Sequence, residues 1–445
     1  MTDLWYRFNV FAERQFFENE DVIDGIVVPA HLIAYYEVSF SQFLKETRLP
    51  FLIDPVTYVW DIPLDCITND NGELKKSYSK FVEKLDCSVG NILGKTYLHQ
   101  SEFSSEEFNN FIDKVIRFEL LDFSSKKPQR LNSIQLLRQR IKLVEGESTV
   151  AEEEHKKSEP YGLIPPYFFF RKVTDDAYSK TLYAAEYTKA HYGKGRKVFP
   201  CLCMSRSLLQ DKHQLSQILT DFRDFEGIIY WISSFEESTA SIEELETLTE
   251  FVSKLSSQGK EVMNLYGGFF SLALQHVGLS KMSCGICYSS SRNVHSEVTG
   301  GGLPVRYYEP SLKLKIMRDA AFKLYSDMPE LFACKCPICS EYSDRCQHSM
   351  YRSIKTQILS QFFIDTSSNG NYLIDWETSR LHFLYQRKIE QRIIGESSIE
   401  ETINDLSVKY KGLRRKQFDP QQYGFGFDSI SYLSNWGNAL MAASQ

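Results

Sequence analysis

Three cysteines lie within six residues in the last quarter of the chain, in the run Cys334-Lys-Cys336-Pro-Ile-Cys339. Thiolates at this spacing are typical ligands of a tetrahedral zinc ion, and a structural zinc site takes four ligands. Three sulfurs leave that shell incomplete, so the fourth ligand must come from further along the chain. Cys346 would close a compact knuckle, and His382 would close a larger loop. The sequence predicts a zinc site with either residue as its fourth ligand.

His382 lies in a segment with the periodicity of a helix. Leu381, Leu384, Tyr385 and Ile389 fall on a shared side of such a helix. An imidazole carried by a helix is a more rigid ligand than a thiol in an irregular loop. We therefore prefer His382 to Cys346.

The composition is that of a globular protein, with 42% hydrophobic and 14% aromatic residues among 445. No stretch approaches the roughly 18 to 20 apolar residues that span a bilayer, so we expect no membrane partner. The N-terminus lacks the basic start and apolar block of a secretory signal, which favours the cytoplasm. In that reducing compartment, ten cysteines indicate free thiols or metal ligands rather than disulfides.

Two basic clusters stand out against the net charge of −7. The segment from Lys126 to Lys142 has six basic residues and no acidic residue, and the segment from Lys409 to Lys416 forms a second cluster. Each is a candidate contact for nucleic-acid phosphates, and each could equally be a solvated face. The sequence contains neither GxxxxGK[ST] nor GxGxxG after a strand, so nucleotide sites of those kinds are not expected.

Buried strands and amphipathic helices alternate along much of the chain. Ser241–Leu255 has apolar residues three or four apart, and Ser241 with Glu244 fits a capping box. Such alternation predicts parallel β/α units with right-handed crossovers. A (β/α)8 barrel of TIM type is the favoured fold, and a doubly wound sheet is the alternative. The apolar runs lie at 49–60, 162–170, 197–204, 227–232, 261–266 and 282–288.

The polar, charged segment 145–160 predicts a flexible loop or domain seam. We therefore expect residues 1–144 to form the first part of the barrel with a basic helical segment, and residues 161–325 to form the rest. A zinc-binding subdomain follows at 326–400. Residues 401–445 are expected to form a basic and aromatic C-terminal extension.

The CxCxxC run and the later His382-x-x-Tyr385 resemble the zinc subdomain of the tRNA-guanine transglycosylase superfamily. The resemblance implies a barrel with an inserted subdomain, in which Cys334, Cys336, Cys339 and His382 bind a structural zinc ion. It also implies an enzyme, a pentosyltransferase that exchanges guanine for a 7-deazaguanine base. In this chemistry one carboxylate attacks the anomeric carbon and a second handles protons.

The family pattern can be carried onto several residues. Asp54, in Pro50-Phe-Leu-Ile-Asp54, resembles an aspartate that follows an early strand of the family, and it is the candidate catalytic residue; a turn-capping role is the alternative. Gly267 and Gly268 resemble glycines that approach the base, and Arg292 is a candidate phosphate or base contact. Ser283 stands where the family has its nucleophilic aspartate. Asp54 is then the candidate nucleophile, with Glu236 or Glu237 as assisting carboxylates.

The altered nucleophile segment and the long spacer before His382 are more similar to the DNA-guanine transglycosylase branch, called DpdA. This implies DNA as the substrate, 7-cyano-7-deazaguanine as the incoming base, and partner proteins of a DNA modification system. A target in duplex DNA would be flipped out of the stack. The alternatives are the same exchange on tRNA and a zinc-stabilised, non-catalytic paralogue that binds nucleic acid.

Overall fold

The computed structural model describes residues 1–18, 20–63, 66–85, 105–120, 159–286, 290–295, 306–328, 334, 336–338, 376–425 and 429–443. The basic segment between Lys126 and Lys142 lies outside the described residues, as does nearly all of the charged loop 145–160. Cys339 and Cys346 also lie outside them.

The described residues form a curled, parallel seven-stranded sheet in the order β3-β2-β1-β7-β6-β5-β4. Nearly every strand residue is buried, which is typical of a parallel sheet covered on both faces. The prediction of parallel β/α units is confirmed. The strands are β1 (Asp3–Arg7), β2 (Gly25–Pro29), β3 (Phe51–Asp54), β4 (Cys201–Ser205), β5 (Gly227–Ser233), β6 (Glu261–Asn264) and β7 (Lys281–Gly285).

Residues 161–170 lie between the two outer strands, β3 and β4, and hydrogen-bond to both. The Tyr161 amide donates to the Phe51 carbonyl at 2.7 Å on the β3 side. On the β4 side, parallel bridges join Leu163 to Val198 and Phe170 to Met204. The segment thus occupies the place of an eighth strand without forming a regular one.

The predicted closed barrel of eight strands is therefore not formed by the described residues, although the curled sheet is compatible with a TIM-like fold. The sequence itself explains the difference. Pro165 and Pro166 lie in the middle of the run at 162–170, and proline has no N–H to donate to a ladder. Pairing is consequently restricted to the two ends of the segment.

Helices connect and cover the strands. Helix α7 confirms the predicted capping box, since the Glu244 amide donates to Ser241 Oγ at 3.2 Å and the Ser241 amide to Glu244 Oε2 at 2.9 Å. No described helix is both long enough and apolar enough to cross a membrane. The helices are α1 (Ala30–Tyr35), α2 (Glu37–Glu46), α3 (Lys76–Lys84), α4 (Ser105–Glu119), α5 (Asp176–Tyr192), α6 (Lys212–Asp221), α7 (Ile242–Ser257), α8 (Phe269–Ala273), α9 (Arg318–Asp327), α10 (Trp376–Glu396), α11 (Ile399–Arg415) and α12 (Ser431–Ala443).

A two-stranded antiparallel hairpin, β8 (Arg306–Glu309) and β9 (Leu314–Met317), lies beside helix α10. The last two helices pack on each other, and α12 also packs on α7. Trp436 of α12 is fully buried, stacks on Phe269, and donates its indole N–H to the Glu237 carbonyl at 2.9 Å. The C-terminal region is thereby part of the core, and the second basic cluster lies at the end of α11.

A charged cluster lies at the amino-terminal end of the sheet, where β6 and β7 begin. The Glu261 carboxylate accepts hydrogen bonds from Tyr161 Oη and Lys281 Nζ, each at 2.7 Å, and it also pairs with Lys197. Burial alone would raise the pKa of Glu261, but these three donors outweigh it and lower the pKa to about 2. The carboxylate form of Glu261 therefore stabilises the fold.

We expect Glu261→Gln to lower the free energy of unfolding at pH 7 by about 1 to 2 kcal/mol. Because the folded-state pKa is depressed, this contribution is present above pH 4.5, the ordinary pKa of the group, and is lost as the pH falls toward 2. Urea unfolding at a series of pH values should show the gap between wild type and variant narrowing over this window. Glu250→Gln, on the exposed face of α7, is the matched control; an equal loss there would contradict the assignment.

Candidate functional site

The carboxyl ends of the strands meet at one edge of the sheet, as they must when all strands are parallel. Arg7 is the last residue of β1, Asp54 is the last residue of β3, and His31 follows β2 by two residues. A ring of tyrosines and a second arginine surround these three side chains. They are Tyr58 after β3, Tyr78 on α3, Tyr167 in the segment 161–170, Tyr266 after β6 and Arg292 after β7.

Asp54 is held in a buried charge contact. Its Oδ2 lies 2.5 Å from Arg7 Nη1, and each of these side chains is only 1% exposed. Its Oδ1 accepts hydrogen bonds from Tyr167 Oη at 2.8 Å and from the Val56 amide at 2.9 Å. Val56 has φ 55°, a left-handed conformation that is rare for a β-branched residue. The turn after β3 is strained in a way typical of functional sites.

Arg7 carries more hydrogen-bonding capacity than its neighbours use. Its contact with Asp54 lacks hydrogen-bond geometry, and the buried Nη1 and Nη2 atoms have no acceptor among the described residues. Burial disfavours the guanidinium, but Tyr266 and Asp54 outweigh burial and raise the pKa of Arg7. Arg7 is therefore a buried cation at any ordinary pH.

Arg292 brings a second positive charge to the same edge. Its Nη1 donates to Tyr266 Oη at 3.3 Å, and its guanidinium lies 5.9 Å from the centre of the Tyr58 ring. Its backbone is fixed, because the Arg292 carbonyl accepts hydrogen bonds from the Ser234 amide at 3.0 Å and from Trp231 Nε1 at 3.1 Å. The structure thus brings Arg292 and Asp54 into one cluster, with Tyr266 next to both arginines.

His31 is the neutral member of the cluster. Its ring stacks on Tyr78 with centroids 4.4 Å apart, and its buried Nδ1 has no hydrogen-bond partner among the described residues. Burial, and then the charges of Arg7 and Arg292, hold the pKa of His31 well below its ordinary value. A neutral imidazole can still donate or accept one hydrogen bond at each nitrogen according to its tautomer.

Gly267 and Gly268 form the turn between β6 and α8, next to this cluster. The Gly267 amide donates to the Ser283 carbonyl at 2.8 Å. A Cβ atom on Gly268 would lie 2.5 Å from Glu237 Oε2, so only glycine fits there. A cavity beside the turn is lined by both glycines and by Glu236.

Glu237 is engaged in holding that turn. Its carboxylate accepts hydrogen bonds from the amides of Gly268, Phe270 and Ser271 at 2.7 to 3.1 Å, and from the Ser271 hydroxyl. Burial nevertheless raises its pKa. Glu237 acts here as a buried cap for the start of α8, which leaves little capacity for the assisting role that the sequence suggested.

Ser283 lies inside β7, opposite Trp5 of β1, and not at the end of the strand. It is fully buried, and its hydroxyl has no hydrogen-bond partner among the described residues. The residue of β7 that lies level with Arg7 is Gly285. The described part of β7 therefore offers no carboxylate to the site.

A second buried carboxyl group was not predicted from the sequence. Glu119, the last residue of α4, accepts a hydrogen bond from the Ile164 amide at 3.0 Å, and its Oε1 has no partner among the described residues. Burial raises its pKa well above the ordinary value, and the charge of Asp54 raises it further. Glu119 is thus a buried carboxyl group with a raised pKa, within electrostatic range of Asp54.

Cys334, Cys336 and His382 come together into a cluster that could hold a metal ion. His382 Nδ1 lies 3.7 Å from Cys334 Sγ and 3.3 Å from Cys336 Sγ. A tetrahedral ion bound at about 2.3 Å by sulfur and about 2.0 Å by nitrogen would hold its sulfur and nitrogen ligands about 3.6 Å apart. The three side chains therefore fit three corners of such a shell.

The surroundings of His382 fix its orientation. Its Nε2 lies 2.8 Å from the Tyr308 carbonyl, which can only accept, so Nε2 carries a proton and Nδ1 is the atom directed at the sulfurs. The Tyr307 ring stacks on the imidazole with centroids 4.5 Å apart. Gln386 Nε2 donates to Cys334 Sγ at 2.9 Å. These contacts are the supporting interactions expected around a metal ligand.

The sequence signals for the two parts of the site differed in strength. The approach of Cys334, Cys336 and His382 was predicted because cysteine spacing and helix periodicity are local patterns, and α10 does carry His382. Arg7, His31 and Tyr167 were missed, because each is a single residue at the end of a short strand or segment. The available signal was a charged residue, Arg7, between the aromatic residues Tyr6 and Phe8 of an apolar run, which indicates a buried charge.

No protein-family model matches the sequence, and no curated protein matches it at a significant level. The resemblance to the transglycosylases consequently rests on the sequence motifs alone.

We expect His382→Ala to reduce the metal bound per chain, because it removes the ligand that joins the cysteine run to α10. Elemental mass spectrometry of the purified protein measures this directly, and the melting temperature should fall with the metal content. His213→Ala, at an exposed histidine of α6, is the matched control. Unchanged metal content in His382→Ala would instead favour Cys346 as the fourth ligand.

Proposed function

We propose that this protein is a guanine transglycosylase that exchanges a guanine in DNA for 7-cyano-7-deazaguanine. The observation that carries the proposal is the combination, in one chain, of a metal-fitting Cys334-Cys336-His382 cluster and a carboxylate, Asp54, at the end of a strand in a curled parallel sheet. In this proposal the sheet and residues 161–170 together are the eight positions of a (β/α)8 barrel.

The metal in this proposal is zinc, held by Cys334, Cys336, Cys339 and His382. Two sulfurs and an imidazole are the donor set that zinc prefers in closed structural sites. Cys339 lies outside the described residues and would supply the fourth corner. The ion would order the subdomain and would take no part in the chemistry.

Asp54 is the proposed nucleophile. Its carboxylate would attack the anomeric carbon of the target nucleotide while the glycosidic bond to guanine breaks, giving a covalent glycosyl-enzyme and free guanine. The incoming 7-deazaguanine would then displace Asp54 and restore the glycosidic bond. The contact with Arg7 supports this role because it places a fixed cation against the attacking carboxylate, and Glu119, whose pKa burial raises, is the candidate for handling protons.

The surroundings of Asp54 suit a flat base. Tyr58, Tyr266 and the stacked pair of His31 and Tyr78 offer aromatic faces. Arg292 supports a substrate that carries phosphates. The same features would serve a tRNA substrate, which is the first alternative.

The second alternative is a non-catalytic paralogue that binds nucleic acid. It is favoured by Ser283, where the family has its nucleophile, and by the deep burial of Asp54.

The three functions differ in what becomes labelled when the purified protein is incubated with duplex DNA or tRNA and radiolabelled 7-cyano-7-deazaguanine. We expect label in DNA. Label in tRNA alone would establish the first alternative, and no label in either polymer, with metal bound and the fold intact, would contradict both enzymatic functions.

We expect acid quenching during turnover to trap a deoxyribosyl adduct on the wild-type peptide that contains Asp54, because the covalent intermediate is an ester of its carboxylate. Peptide mass spectrometry measures the adduct. Asp54→Asn should abolish adduct and exchange, although loss of a partner for buried Arg7 will also destabilise the fold, by about 3 to 5 kcal/mol. Ser283→Ala is the control, since it removes only an unpaired buried hydroxyl and should keep activity. An adduct on any other peptide would remove Asp54 from the role.

A further inference from the structure

Five buried polar atoms at the carboxyl edge of the sheet lack a hydrogen-bond partner among the described residues. Two of them, Arg7 Nη1 and Asp54 Oδ2, lie 2.5 Å apart as an ion pair. The other three, Arg7 Nη2, His31 Nδ1 and Tyr58 Oη, have neither a hydrogen bond nor an ion-pair contact there. Arg7 and Tyr58 are each only 1% exposed, so bulk water does not satisfy them. An unsatisfied buried donor destabilises the fold, and more so when it is charged. Several of them in one cluster indicate that an acceptor belongs there.

The charge balance of the cluster also indicates an anionic ligand. Arg7 and Arg292 carry two positive charges, Asp54 carries one negative charge, and His31 is neutral. Asp54 contacts Arg7, whereas no described carboxylate pairs with Arg292. The excess is one positive charge in a poorly solvated place, where an unpaired ion is costly. A ligand with a single negative charge would balance it.

The cluster has a closed floor and an accessible rim. Arg7, Asp54 and Tyr58 are buried at the floor, while His31 and Arg292 are only half-buried. The rim is therefore the side from which a ligand can enter. The rings of Tyr58 and Tyr266 lie beside the Arg292 guanidinium, and Tyr78 covers one face of His31.

We propose that Arg7, Arg292, His31 and Tyr58 form a seat for one phosphodiester group of a nucleic-acid strand. A phosphodiester carries one negative charge, which matches the excess, whereas a terminal phosphate monoester near neutral pH carries almost two. Its two non-bridging oxygens can accept several hydrogen bonds, which matches the number of free donors. Aromatic rings beside the seat suit the nucleosides on either side of the phosphate.

The inference rests on the proposed function only for the source of the phosphodiester, a strand that presents its target nucleotide to Asp54. Binding at the seat requires no exchange chemistry. The two proposals can therefore fail separately: the seat is tested by binding, and the exchange by incorporation of label.

The test is a phosphorus NMR titration of the intact protein with the dinucleoside monophosphate d(GpT), which contains one phosphodiester and no terminal phosphate. We expect its phosphorus resonance to shift on binding. An equimolar mixture of deoxyguanosine and thymidine, followed through the protein's tryptophan fluorescence, should bind at least tenfold more weakly. Inorganic phosphate binding as tightly as d(GpT) would indicate a free-phosphate site and overturn the assignment.

Variants locate the binding. Arg292→Gln should weaken the binding of d(GpT) at least tenfold, because it removes the charge that Asp54 does not balance. Tyr58→Phe removes only an unpaired hydroxyl and keeps the ring, so it should fold normally and weaken binding severalfold. Arg223→Gln, at an exposed arginine after α6, is the matched control and should bind like wild type. Unchanged affinity in both Arg292→Gln and Tyr58→Phe would refute the seat, whatever the result of the exchange assay.

Discussion

The rest of the structure depends on the backbone hydrogen bonds that residues 161–170 make to both outer strands of the sheet. A parallel sheet leaves unpaired N–H and C=O groups at its two edges, and buried groups of this kind must find partners. The Tyr161 amide hydrogen-bonds to the Phe51 carbonyl of β3. Leu163 pairs with Val198, just before β4, and Phe170 pairs with Met204 within β4. Because one segment reaches both edges, the carboxyl ends of strands far apart in sheet order surround a common space.

That common space explains why buried charges are tolerated there. Arg7 and Asp54 lie on strands separated by β2, and their side chains meet across it at the carboxyl edge of the sheet. Burying an ion costs several kcal/mol, and an ion pair repays that cost only in good geometry with further hydrogen bonds. Asp54 obtains these from Tyr167 and Val56, whereas Arg7 does not obtain them from the described residues. Arg7 is therefore left with unused hydrogen-bond donors, which is why the site favours an anion.

Local patterns in the sequence predicted much of this arrangement. The capped helix α7 and the starts of β5, β6 and β7 follow from patterns within one segment, and the approach of His382 to the cysteines follows from two such patterns taken together. The strands β1 and β2 were not predicted, because each has only five residues. The cluster around Asp54 was only partly predictable, since Arg7, His31 and Tyr167 are distant in sequence and become neighbours only through strand order.

The metal cluster and the cluster around Asp54 are connected through helix α10. His382 lies near the start of that helix, while Gln391, further along it, donates hydrogen bonds to the Thr2 carbonyl and to Asp24 Oδ2, just before β1 and β2. Between them, Phe383 packs edge-on against Tyr6, the neighbour of Arg7 in β1. An ion that fixes His382 would thereby fix how α10 lies against β1. A structural metal would thus influence the position of Arg7, and through it Asp54, without lying near either side chain.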